Sequence, residues 1–189
     1  METDRQFSPD AETRIGDALE AALEALRLAR RELAGTAEEP GRWRWVALGL
    51  VSALQASLVA ALSGYASASI EDVANPSQTD RVAPVSLLLR RARSSEYLNP
   101  PERLDLTGSQ LRRLEDLVAM RNAAVHGLGF QLPAHPRQAA RAAAGVIKHL
   151  ILDHPSFEVA GFVLFLSLIG QELTLLGTEL DANGPGKTP

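Results

Sequence analysis

Residues 45–70 carry no charged side chain, in a chain of 189 residues. A stretch that long has to leave water, either across a bilayer or inside a protein core. Its composition separates the two. It is rich in Ala, holds five Ser and a central Gln55, and lacks a long block of Ile, Val, Leu or Phe. We therefore read Trp43 to Ala66 as the buried central helix of a bundle, with a transmembrane span over residues 45–65 as the alternative. A second apolar run, Val159 to Ile169, is too short to span and is followed by Gln171 and Glu172. Trp43 and Trp45 fit core and boundary anchors better than a stacking platform.

Helical signals flank this run on both sides. Ser8-Pro9-Asp10 supplies a capping hydroxyl, a proline at the first helical position and an acid at the positive end of the dipole. Ile15, Leu19, Ala22, Leu26, Ala29 and Leu33 then fall on one stripe, with Glu20, Glu24, Arg27 and Arg31 off it. Gly35 and Pro40-Gly41 end that helix. After a loop at Asn75-Pro76-Ser77, Val85–Ser95 reads as a short basic helix, broken at Asn99-Pro100-Pro101. Thr107 and Gln110 have capping-box spacing and open a helix with Leu111, Leu114, Val118 and Val125 on one face. Gly127, Gly129 and Pro133 form the next loop. Pro136 opens an Ala-rich helix to Asp153, and Ser156-Phe157 opens the last, to about Leu180. No segment shows convincing strand character.

The expected fold is thus all-α: a single up-and-down bundle of about five long helices over residues 9–180. Residues 1–8 and 181–189 read as disordered ends. An aromatic content of 5% agrees with helices rather than a sandwich or barrel. There is no cysteine, which removes disulfides, Cys-ligated zinc, iron–sulfur clusters and thiol nucleophiles. The acidic start, without an apolar core, has no look of a signal peptide, so the expected location is the cytoplasm.

The net charge of −4 first argues against nucleic acid. It is unevenly spread. Residues 1–40 hold five Arg against ten acids, whereas residues 81–149 hold eleven Arg and Lys against five acids. Within that basic middle, Arg90, Arg91, Arg93, Arg112 and Arg113 are either a solvated face or a footprint for the RNA backbone.

The same segment contains Arg121-Asn122-Ala-Ala-Val-His126-Gly127 at the end of a helix. Arg121 stands seven residues after Leu114 and so projects from the apolar face, where a guanidinium needs an anion or is partly buried at a cost. Asn122 and His126 are four apart, close enough for the amide to orient the imidazole. Gly127 falls where a helix cap would, which places His126 among free carbonyls that favour its protonated form. An Arg to hold a phosphodiester and a His to move a proton suffice for RNA cleavage without metal. His149 and His154, five apart, have the wrong helical spacing for shared ligation, so no metal and no cofactor are expected. A nucleophile elbow, a P-loop and a Gly-x-Gly-x-x-Gly are absent from the sequence.

The Arg121-Asn122-x-x-x-His126 element resembles the R-polar-x(3–5)-H motif of the HEPN superfamily (higher eukaryotes and prokaryotes nucleotide-binding). Helix count and motif position extend that resemblance over about residues 10 to 180. It implies a helical bundle that dimerises, two motifs sharing one cleft, and a metal-independent endoribonuclease of the toxin or phage-defence kind. Arg121 and His126 would be catalytic and Asn122 supporting, with RNA as substrate and an antitoxin or other protein as a further partner. The alternative is a non-catalytic helical dimerisation module, with Arg121 and His126 buried, paired and away from any open cleft.

Overall fold

The computed structural model describes residues 7–64, 68–127, 129, 131–154, 157 and 161–182. Among them the structure is mainly helical: α1 (Pro9–Ala34), α2 (Trp43–Ser63), α3 (Val85–Ala92), α4 (Gly108–His126), α5 (Pro136–Ile151) and α6 (Val163–Ala182). Ser8 caps α1 by accepting from the Ala11 amide at 3.3 Å. All six residues of the expected α1 stripe, Ile15 through Leu33, are buried. Phe7, placed by the sequence in a loose end, packs on Phe162 with ring centroids 6.2 Å apart.

The charge-free run forms the centre of the protein. α2 lies against α1, α3, α4 and α5, and 78% of its most apolar window is buried. Its polar groups are satisfied locally, as burial requires. Ser57 donates to the Ala53 carbonyl at 2.8 Å, Ser63 accepts from Arg14 Nε at 2.9 Å, and Gln55 donates to the Ala83 carbonyl at 2.9 Å. α1 and α2 approach closely where Gly49 meets Ala25 and Ala29. A Cβ at Gly49 would stand 2.7 Å from the Ala25 carbonyl oxygen.

Several element boundaries differ from the sequence reading. Asn75-Pro76-Ser77 is the turn of a small antiparallel hairpin, β1 (Ala74–Asn75) with β2 (Gln78–Val82), where we expected no strand. All five residues of β2 are exposed, so no alternation of apolar and polar residues betrays it. The turn is held by Asn75 Oδ1, which accepts from the Ser77 amide at 3.1 Å. α2 ends at Ser63 and α3 at Ala92, each short of its expected limit. α5 ends at Ile151, because the Lys148 carbonyl accepts from both Leu152 and Asp153 and closes the last turn. α6 begins at Val163 rather than at Ser156-Phe157. Phe157 is instead a buried plug against Gly64, while Ala66 and Ser156 lie outside the described residues. α6 runs on to Ala182, and Arg141 binds its end through the Leu180 carbonyl (2.9 Å) and the Asp181 carboxylate (2.7 Å).

Candidate functional site

The motif helix starts as its sequence demands. Thr107 accepts from the Gln110 amide at 3.2 Å, and Gln110 Oε1 accepts from the Thr107 amide at 2.9 Å. Leu114, Leu117 and Met120 are buried against α2 and α5, and Leu111 and Val118 are half-buried. Val125 is a correction to the expected apolar face, since it is 53% exposed. Buried positions three apart drift around the cylinder, so the final turn faces away from the core.

Arg121 sits where that drift crosses the edge of the core. It is half-buried, and its Nη1 donates to Asn122 Oδ1 at 2.9 Å. Its Nε is buried without a partner, and no carboxylate pairs with it among the described residues. His126 is exposed in the last turn, followed by Gly127 at φ 66°, whose amide donates to the Ala123 carbonyl at 3.1 Å. That left-handed cap is open to glycine at little cost, as the sequence suggested. The role of Asn122 differs from the expected one: its amide holds the guanidinium, not the imidazole.

The basic set divides. Arg90 and Arg93 are exposed on the rim of a groove of about 440 Å³ between α3 and α4, which Asn122 also lines. The groove has Leu89, Leu111, Leu114 and Val118 in its walls and Glu115 on its edge. Arg91 is committed elsewhere. It donates to the Asp72 and Ala74 carbonyls at 2.9 and 3.1 Å and lies 5.8 Å from the Tyr97 ring centroid, tying α3 to the hairpin. Arg112 is exposed but precedes Arg121 by two and a half helical turns, on the opposite side of α4. Arg113 is half-buried.

Two features escaped the sequence reading. His149 and His154 meet edge to face with ring centroids 4.7 Å apart, and both Nε2 atoms are buried without partners. Helical spacing does not apply to them because α5 stops at Ile151 and the chain turns between the two rings. His149 also lines a cleft of about 560 Å³ with Arg103, Asp105, Arg141 and Asp153. Among the described residues no three His, Cys, Asp or Glu side chains gather as a metal site would require. A trough of about 600 Å³ between α1 and α2 has Ala18, Ala21, Ala56 and Val59 in its walls and Asp10, Arg14 and Asp17 along α1. The chain matches no protein-family model, no curated protein and no solved structure.

Proposed function

We propose that this protein is a metal-independent endoribonuclease of the HEPN type, with its long helices forming that family's up-and-down bundle. The observation that carries the reading is Arg121: half-buried, with an unpartnered Nε and no acid paired with it among the described residues, five residues from an exposed imidazole. A half-buried guanidinium needs acceptors for its N–H groups; Arg91 finds them in the Asp72 and Ala74 carbonyls, whereas Nε of Arg121 is left free for an incoming anion such as a phosphate. The exposure of His126 favours this reading over the non-catalytic module, in which both side chains would be buried and paired.

In the proposed step His126 takes the proton of a ribose 2′-hydroxyl. The 2′-oxygen attacks phosphorus, the bond to the 5′-oxygen breaks, and that oxygen leaves with a proton. The products are a 2′,3′-cyclic phosphate and a 5′-hydroxyl. Arg121 stabilises the charge that grows on the phosphoryl oxygens. Arg90 and Arg93 carry the strand along the groove that ends at Asn122. Exposed Val125, in the same turn as the motif, and Leu132 beyond it give a second copy an apolar seat, so that two motifs share one cleft and the second His126 supplies the leaving-group proton. The HEPN resemblance further implies a cytoplasmic toxin or defence setting with an inhibitory protein partner.

The test is cleavage of total and defined RNAs in the presence of chelator. Wild type is expected to yield cyclic-phosphate ends, and His126→Ala and Arg121→Ala are each expected to lose at least about a hundredfold in rate. Equal cleavage by the His126→Ala protein, or none by wild type on any RNA, refutes the reading.

A further inference from the structure

α6 is more apolar than its packing uses. Its most apolar eighteen residues are only 17% buried, against 78% for the comparable window of α2. Ile169, Leu173, Leu176 and Leu180 are buried, while Leu164 is 68% exposed and Leu175 46% exposed. The exposed stripe reads Leu164, Ser167, Gln171, Thr174, Leu175 and Thr178, with no charge along it.

The polar chemistry of the helix has been moved off that stripe. Glu172 pairs with Arg30 at 2.7 Å and Arg27 at 3.7 Å, and Glu179 with Arg30 at 3.6 Å, so both acids are turned to α1. The hydroxyls of Thr174 and Thr178 donate to the carbonyls four residues earlier, at 2.8 and 3.0 Å, and need no water. Beside the stripe lies a groove of about 700 Å³ between α6 and the end of α5, lined by Leu152, Gly170, Leu173 and Lys148. A ridge without charge and a groove whose one charged lining residue, Lys148, is paired with Asp153 therefore stand next to each other.

We propose that this face binds a second copy of the chain, with α6 against α6 antiparallel about a two-fold axis at Gln171. A two-fold contact needs a self-complementary surface, and an adjacent ridge and groove supply one. An axis at Gln171 sets Leu164 opposite the partner's Thr178 and Ser167 opposite the partner's Leu175. Gln171, whose amide (like the Ser167 hydroxyl) has no hydrogen-bond partner among the described residues, meets its own image, and two primary amides satisfy each other. A helix of this length presents about 30 Å of ridge, and ridge plus groove bury on the order of 1,000 Å² in total, the lower bound for a stable interface. A bilayer is the other apolar surface for such a helix, but insertion would break the Glu172 and Glu179 pairs or carry them into hydrocarbon.

This contact is independent of the ribonuclease reading, because α6 packs on α1 and α5 whereas the motif helix packs on α2 and α5. Should the motif faces also pair about an axis perpendicular to this one, the assembly closes as a tetramer; with the α6 contact alone it is a dimer. Either way, breaking the α6 contact halves the mass.

The experiment is sedimentation equilibrium of the full chain over a concentration series, with thermal melting as the folding control. Wild type is expected at two chains or a multiple of two. The double variant Leu164→Asp/Leu175→Asp is expected at half that mass with an unchanged melting curve. Gln171→Lys and Gln171→Glu should each dissociate, and an equimolar mixture should regain the wild-type mass, since each charge then meets its opposite. A single-chain mass for wild type at every concentration overturns the proposal. So does an unchanged mass in the double variant, a mixture that stays dissociated, or co-flotation of wild type with phosphatidylcholine vesicles.

Discussion

The Arg121 guanidinium leans on its neighbour in sequence: Nη1 donates to Asn122 Oδ1 at 2.9 Å while Nε stays buried without a partner. Adjacent residues on a helix do not ordinarily face each other, so this bond fixes the guanidinium across the surface of α4. If the protein cleaves RNA as proposed, Asn122 acts by positioning Arg121. Asn122→Ala is expected to lower cleavage about tenfold, and Asn122→Asp about a hundredfold, because a carboxylate there neutralises the guanidinium and repels phosphate. Single-turnover rates on one defined RNA check the order wild type, Ala, Asp. An Asp variant as fast as wild type would remove Asn122 from the site.

The α1–α2 contact yields a prediction about stability. At Gly49 a methyl group would meet the Ala25 carbonyl oxygen at 2.7 Å and the Ala29 amide nitrogen at 2.8 Å, which are backbone atoms of a packed helix with no room to move. Separating two helices costs about 3 kcal/mol, and alanine returns about 1 kcal/mol of helix propensity. Gly49→Ala is thus expected to destabilise the fold by about 2 kcal/mol, seen as a urea midpoint lower by about 1 M.

What the sequence discloses here follows from what kind of interaction each element depends on. α1 and the start of α4 are local: Ser8, Thr107 and Gln110 bind amides within three residues, Pro9 sets the first helical position, and each start was legible. The burial of α2 was legible because a run without charges has few places to go. The hairpin was not, since β2 is exposed throughout and leaves no pattern. Within the candidate site, position was legible and partnership was not. Leu114 and Gly127 bracket the half-buried Arg121 and exposed His126, but helical spacing alone cannot say which of Arg121 and His126 Asn122 will bind. The five basic residues looked equivalent in sequence and separate only when Arg91 finds the carbonyls of Asp72 and Ala74, contacts across 19 and 17 positions.

Phe157 gives a third prediction. It is 1% exposed, and its ring lies 3.2 Å from where a Cβ on Gly64 would stand, so it fills the space at the end of α2. Truncation leaves a cavity that rigid helix ends cannot close. Phe157→Ala is expected to cost about 3–5 kcal/mol, whereas Gly64→Ala, which asks the ring to give by a few tenths of an ångström, should cost about 1 kcal/mol. Calorimetric melting of both variants measures the difference.

The division of the basic residues makes the last prediction, which separates binding from folding in one set of measurements. Arg90 and Arg93 are exposed on the groove rim and form no ion pair among the described residues, so their loss leaves the fold intact. If the groove carries an RNA backbone, Arg90→Ala and Arg93→Ala each remove one phosphate contact. Each should then reduce the slope of log affinity against log salt by about one, at unchanged melting temperature. Arg91→Ala should do the reverse. It deprives the Asp72 and Ala74 carbonyls of their donor and removes the stem beside Tyr97, a loss of about 1–3 kcal/mol in stability with the salt slope unaltered. Filter binding of a non-cleaved RNA at several salt concentrations, paired with melting curves, reads both. A slope that falls for Arg91→Ala and not for Arg90→Ala would place the nucleic acid away from this groove.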